Sequence, residues 1–307
     1  MTGIEVSGVA RAFGDVHAVR DATFTVEPGH VAGLIGPNGA GKTTLLLMLA
    51  TLLRPDAGAI RVAGFDPVTD AGEVRARIGW MPDLLGSWAS LTVREALAAS
   101  ARMYGRSKDA ASRRADELIG LVDLDELADR PTRVLSRGQK QRLSLARALV
   151  HDPDVLLLDE PASGLDPAAR VRLRSLVRRL ASEGRTVLVS SHVLAELEEM
   201  ADQAVYLSGG VTAAADDVAR AERTERDWRL RSLDPDRLRA VLDAAGWGEA
   251  ARIDHLGAVV PLASEADAAQ LLAHLVGSGV PVSSFAPAVG DLEHVFLDLS
   301  RNGEERA

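Results

Sequence analysis

The sequence predicts an α/β protein with a largely parallel sheet, followed by a smaller α+β domain. Apolar runs alternate with helical patterns over the first two-thirds of the chain, as when crossover helices separate parallel strands. A polar, charged stretch then interrupts the pattern, and a shorter series of strands and helices begins. The 307 residues, at about 100–200 per domain, agree with two domains or one with an appendage.

The elements follow in order. Residues 31–35, 155–158 and 187–190 are short apolar or β-branched runs and read as strands buried on both faces. Helical patterns occupy 42–53, 93–104, 112–122, 138–150 and 168–181. Between Asp83 and Val150 helix dominates with no convincing strand, which predicts a helical insertion over about 83–150. The first domain is expected to span 1–218 and a linker 219–227, the charged run 216–227 reading as linker or exposed helix. Residues 228–307 then read as β-α-β-β-α-β with a final helix from Asp291, a small α+β domain. Within it Asp234-Pro235 is an N-cap with proline in the first helical position, and Ser264 with Asp267 caps a second helix.

Composition narrows the function. Apolar residues make up 47% and charged residues 26%, the balance of an ordinary globular protein. A net charge of −9 disfavours a general binder of nucleic acid or anionic membrane. The absence of cysteine excludes disulfides, thiolate metal sites and thiol catalysis. The longest strongly apolar stretch, 45–53, falls far short of the roughly 20 residues a bilayer requires. With no secretory pattern at the start, a cytosolic protein is expected.

Two motifs carry chemistry. Gly36-Pro37-Asn38-Gly39-Ala40-Gly41-Lys42-Thr43 satisfies G-x-x-x-x-G-K-[ST] between a predicted strand and helix, the context that motif requires. Its backbone N–H groups and the helix N-terminus suit a polyphosphate. Lys42 would reach the β- and γ-phosphates, Thr43 would bind Mg²⁺, and Thr44 would support the α-phosphate. The chain has only three lysines, Lys42, Lys108 and Lys140, among 35 basic residues, so lysine in this slot is unlikely by drift. The run 155–158 ends in Asp159-Glu160-Pro161, and the carboxyl end of such a strand is where ligands sit. Asp159 would hold Mg²⁺ and Glu160 would polarise an attacking water.

With these motifs the chain resembles the ATP-binding cassette ATPases over roughly residues 3–215. Leu135-Ser136-Arg137-Gly138-Gln139 is similar to the family's signature, with arginine where a second glycine is usual. Gly164-Leu165-Asp166 matches the loop after the carboxylate pair, and His192 matches the switch histidine. The resemblance implies a P-loop NTPase cassette that hydrolyses ATP with Mg²⁺. Ser136, Gly138, Gln139 and Asp166 would serve nucleotide, the signature residues facing ATP on the opposite subunit of a head-to-tail homodimer. Phe13 falls where an aromatic stacks on adenine. Asp83, in Trp80-Met81-Pro82-Asp83, replaces a glutamine that contacts Mg²⁺ and water, and a carboxylate there could still reach the metal.

The variant resembles daunorubicin and multidrug-resistance type exporter subunits. That implies a separately encoded membrane permease, a location on the cytoplasmic face of the membrane, and no nucleic-acid partner. Trp88, just beyond Asp83, is a candidate contact for that permease. The alternative is a soluble cassette acting on ribosomes or DNA. Its relatives usually carry two cassettes or long coiled coils, whereas this chain has one phosphate loop and no sustained heptads.

Overall fold

The computed structural model describes residues 3–83, 86 and 88–304. It divides the chain into two compact units, residues 1–213 and 214–307.

The first unit is built on a nine-stranded sheet. Its strands are β1 (Ile4–Phe13), β2 (Val16–Val26), β3 (Val31–Ile35), β4 (Ala57–Val62), β5 (Ile78–Met81), β6 (Val155–Asp159), β7 (Thr186–Ser190), β8 (Gln203–Ser208) and β9 (Val211–Thr212). In space they run β4-β1-β2-β9-β8-β3-β7-β6-β5. The block β8-β3-β7-β6-β5 is parallel, as the sequence predicts. β3, β6 and β7 are buried along their whole length. The other edge, β4-β1-β2, is antiparallel and was not expected. Its signal is alternation: along β1, Ile4 and Val6 are buried while Glu5 is exposed.

Seven helices complete this unit among the described residues: α1 (Lys42–Leu49), α2 (Ala71–Arg77), α3 (Val93–Met103), α4 (Lys108–Leu121), α5 (Arg137–Ala148), α6 (Pro167–Ser182) and α7 (Leu194–Glu198). Helix α1 lies in the core, with Leu45, Leu46, Met48 and Leu49 fully buried beside Ile4, Leu34 and Leu188. It stops four residues before the expected end. Thr51 takes φ 65°, and the Thr51 and Leu52 N–H groups close onto the Met48 and Leu47 carbonyls, a left-handed C-terminal cap. The insertion is helical as expected, with α3, α4 and α5 and two short 3₁₀ turns between α4 and α5. Helix α4 begins earlier than the periodicity indicates because the Ser107 hydroxyl accepts the Ala110 N–H.

The second unit comprises α8 (Ala215–Ala221), β10 (Arg226–Ser232), α9 (Pro235–Ala244), β11 (Arg252–Asp254), β12 (Gly257–Leu262), α10 (Glu265–Gly277), β13 (Val282–Pro287) and α11 (Asp291–Glu304). The strands form an antiparallel sheet in the order β11-β12-β10-β13, the split β-α-β pattern. Leu230, Val260 and Leu262 of the sheet pack with Leu238 and Leu242 of α9 and Leu271 and Leu275 of α10. The expected boundary at 218 and the linker over 219–227 are corrected. The break falls after residue 213, α8 packs on α11, and β10 already begins at Arg226. Alanines inside the charged run make it a helix, with Ala221 buried.

Candidate active site

The parallel block explains why motifs more than a hundred residues apart meet. Spatial order β3-β7-β6-β5 sets four carboxyl ends side by side, where ligands of such sheets bind. β3 delivers the phosphate loop, β6 delivers Asp159 and Glu160, β7 delivers Ser190 and then His192, and β5 leads to Asp83. A cleft of about 410 Å³ opens there, lined by Phe13, Ala18, residues 38–44, Asp83, Asp159 and Glu160.

The loop is shaped by its glycines. Gly41 takes φ 103°, and a Cβ there would lie 2.3 Å from the Ala18 carbonyl oxygen, so no larger residue fits. The amine of Lys42 is folded under the loop, donating to the Gly36 carbonyl at 2.7 Å and the Pro37 carbonyl at 3.1 Å. Burial lowers its pKa, and Glu160 and Asp159 oppose that shift.

Around the carboxylates the polar groups form one network. Thr43 Oγ1 donates to Asp159 Oδ2 at 3.2 Å, and Ser190 Oγ donates to Asp159 Oδ1 at 2.5 Å. The Glu160 N–H donates to the Ser190 carbonyl and hydroxyl, and Gln141 Nε2 donates to the Glu160 carbonyl at 2.8 Å. Glu160 sits in the left-handed region, φ 51°, where a non-glycine backbone is strained and needs such anchoring. Its carboxylate meets His192 Nδ1 at 2.7 Å. Burial raises the Glu160 pKa, against the lowering effects of His192 and Lys42. A carboxylate tuned upward is the better proton acceptor near neutral pH.

The oxygen donors fit Mg²⁺. Thr43 and Asp159 offer a hydroxyl and a carboxylate in hydrogen-bond contact, and Mg²⁺ is usually held by one or two carboxylates with substrate phosphates. Among the described residues no group of three or more His, Cys, Asp or Glu forms a dedicated metal cage. Asp83 also lines the cleft, but its Oδ1 lies 3.8 Å from Arg137 Nη2.

Not every expected residue is in this cleft. Ser136, Gly138, Gln139 and Asp166 do not line it. Ser136 caps α5, and the Gln139 side chain returns the bond to the Ser136 N–H at 2.8 Å, a capping box. Gly138 lies in the first turn of the same helix. Asp166 caps α6, where the Ala169 N–H holds its carboxyl below the usual range. Phe13 is in place, 49% exposed, with the Arg11 guanidinium 4.8 Å from its ring centroid.

Two residues of the site were missed. Ser190 joins Asp159 to Glu160, and Gln141 pins the Glu160 carbonyl from a position 1% exposed. The signal for Gln141 is an amide on the buried stripe of α5, between Leu143 and the signature.

Comparisons with known proteins give the family. The ABC transporter family model matches residues 19–163. The Nod factor export ATP-binding protein I of Burkholderia lata is 42% identical over 207 residues, 67% of this chain and 68% of that protein. The daunorubicin resistance ATP-binding protein DrrA3 of Streptomyces coeruleorubidus is 41% identical over 213 residues, 68% of this chain and 66% of that protein. A solved ATP-binding subunit of an ABC transporter matches with TM-score 0.65 and 30% identity, over 71% of this chain and 92% of its own. Sequence, fold and site agree: the chain belongs to the ABC transporter family and is one of its ATPases.

Proposed function

We propose that this chain powers an exporter, of drugs or antibiotics, whose membrane-spanning part is a separate permease, and that it works as a head-to-tail homodimer on the cytoplasmic face of the membrane. The observation that carries the reading is the division of its motifs. Phosphate loop, Thr43, Asp159 and Glu160 share one cleft, while Ser136, Gly138 and Gln139 lie outside it, and in this reading they complete the site of a second copy. The positive end of α5, beside Ser136 and Gly138, is suited to a phosphate on that copy.

In this reading Thr43 and Asp159 would hold Mg²⁺, which would supply positive charge against that of the phosphates. Glu160 accepts a proton from the attacking water as the new bond to the γ-phosphorus forms and the bond to ADP breaks. His192 orients the Glu160 carboxylate, and Lys42 supplies a fixed positive charge. Phe13 stacks on the adenine ring.

Export is supported by the name of the Burkholderia lata relative, and a drug cargo by the daunorubicin resistance named in the other. No described helix is long and apolar enough to cross a membrane, which agrees with a separate permease. A groove of about 610 Å³ beside the helical insertion, lined by Trp80, Trp88, Met103, Tyr104 and Arg147 among others, is a place for the permease to dock. Trp88 is 40% exposed there, under the Arg147 guanidinium.

The test is a pair of measurements. Purified protein should hydrolyse MgATP and lose that activity with Glu160→Gln. Co-expressed with a candidate permease, it should co-purify from membranes and release its partner with Trp88→Glu. Hydrolysis without any membrane protein ever retained would remove the transport half of the reading.

A further inference from the structure

The two departures from the family pattern, Asp83 and Arg137, are neighbours in space. Arg137 opens α5 and Asp83 follows β5, 54 positions earlier, yet Arg137 Nη2 lies 3.8 Å from Asp83 Oδ1. The same nitrogen donates to Ser163 Oγ at 2.9 Å. On the way the Arg137 side chain passes over Gly164, where a Cβ would sit 2.8 Å from Arg137 Cδ. Ser163 in turn donates its N–H to the Glu160 carbonyl at 3.1 Å, the oxygen that also accepts Gln141.

We propose that Arg137 is a positioning residue that acts on Asp83 and on the 160–163 turn of its own chain, so that aspartate and arginine replace the usual glutamine and glycine as one unit. Two physical arguments carry this. First, Asp83 adds a third carboxylate to a cleft already holding Asp159 and Glu160, and the substrate is itself a polyanion. The guanidinium beside Asp83 offsets that charge. Second, α5 grips the turn carrying Glu160 at two points, Gln141 on the carbonyl and Arg137 on Ser163.

The pair is half exposed, 62% for Arg137 and 50% for Asp83, and such pairs contribute little to stability. Its effect therefore falls on ligand binding and turnover. The inference rests on reading the 36–44 cleft as the triphosphate site.

The experiment is a double-mutant cycle with Arg137→Ala, Asp83→Gln and the combination, read by two probes. The first is equilibrium binding of a fluorescent ribose-labelled ATP in EDTA, where no metal screens the phosphates. Arg137→Ala should weaken binding about 5-fold at low salt, less at 0.5 M salt, and Asp83→Gln should restore it. The second is steady-state hydrolysis. Arg137→Ala should lower kcat about 10-fold with KM for MgATP moving less than about 3-fold, and Arg137→Lys should recover part of it. Unchanged binding in Arg137→Ala, or effects of the two substitutions that simply multiply, overturns the proposal. Lys42→Ala, checked for folding by its melting temperature, is the separate control. If it binds the labelled ATP like the native protein, the cleft assignment fails whatever Arg137 does.

Discussion

Ser190 Oγ donates a 2.5 Å hydrogen bond to Asp159 Oδ1 and in turn accepts the Glu160 N–H at 3.1 Å. One hydroxyl at the end of β7 thus fixes both the carboxylate proposed to hold Mg²⁺ and the backbone of the proposed proton acceptor. Groups that orient a metal ligand typically change activity 10–100-fold when removed. Ser190→Ala should lower kcat within that range while labelled ATP still binds. A kcat within 2-fold of the native value would separate Ser190 from the site.

Gln141 makes a different prediction. Its Nε2 holds the Glu160 carbonyl, but its Oε1 is buried with no partner. Gln141→Leu removes the bond and the orphaned oxygen together, and the Glu160 carbonyl keeps the Ser163 N–H. Thermal stability should therefore change by no more than about 1 kcal/mol, while kcat falls about 10-fold. A loss of stability with kcat intact would make Gln141 a packing residue only.

Phe13 has one ring face under Arg11, whose guanidinium is held by Asp56 at 2.6 Å. Stacking of a base on an aromatic side chain contributes about 1–3 kcal/mol. Phe13→Ala should raise KM for ATP about 10-fold or more at nearly constant kcat, and Phe13→Tyr should restore it. An unchanged KM would remove the stacking role.

Glu160 links the site to pH. Its pKa is raised in the folded protein, chiefly by burial. The folded state then binds more protons than the unfolded chain between the usual carboxylate pKa and the raised one, so stability falls as pH rises through that window. Glu160→Gln removes the titration. It should melt higher than the native protein at pH 8, and the gap should close below about pH 4, where both side chains are neutral. A lower melting point for Glu160→Gln at pH 8 would contradict the burial argument.

The cleft residues of the phosphate loop and the carboxylate pair were legible because their chemistry requires fixed residue types at fixed spacing. The parallel strands were legible because strands buried on both faces leave uninterrupted apolar runs. The antiparallel edge was not, since β1 and β2 are long and half-exposed, so polar residues interrupt their apolar ones. Ser190 and Gln141 were missed for another reason: each acts through a tertiary contact, with Asp159 and with the Glu160 carbonyl, and the amide on the buried stripe of α5 marks Gln141 without naming its partner. The helix over 215–221 was legible only as one of two readings of its charged run, linker or exposed helix.

The central claim is that ATP joins two copies across this cleft, each completing the other with Ser136 and Gly138. Glu160→Gln should bind MgATP without turning it over, so the joined state should persist. Light scattering during gel filtration measures this most directly. The account predicts a molar mass rising from that of the 32.5 kDa chain to about twice that value with MgATP, and no such rise with MgADP. A monomer at saturating MgATP, in a protein shown to bind the nucleotide, would contradict it.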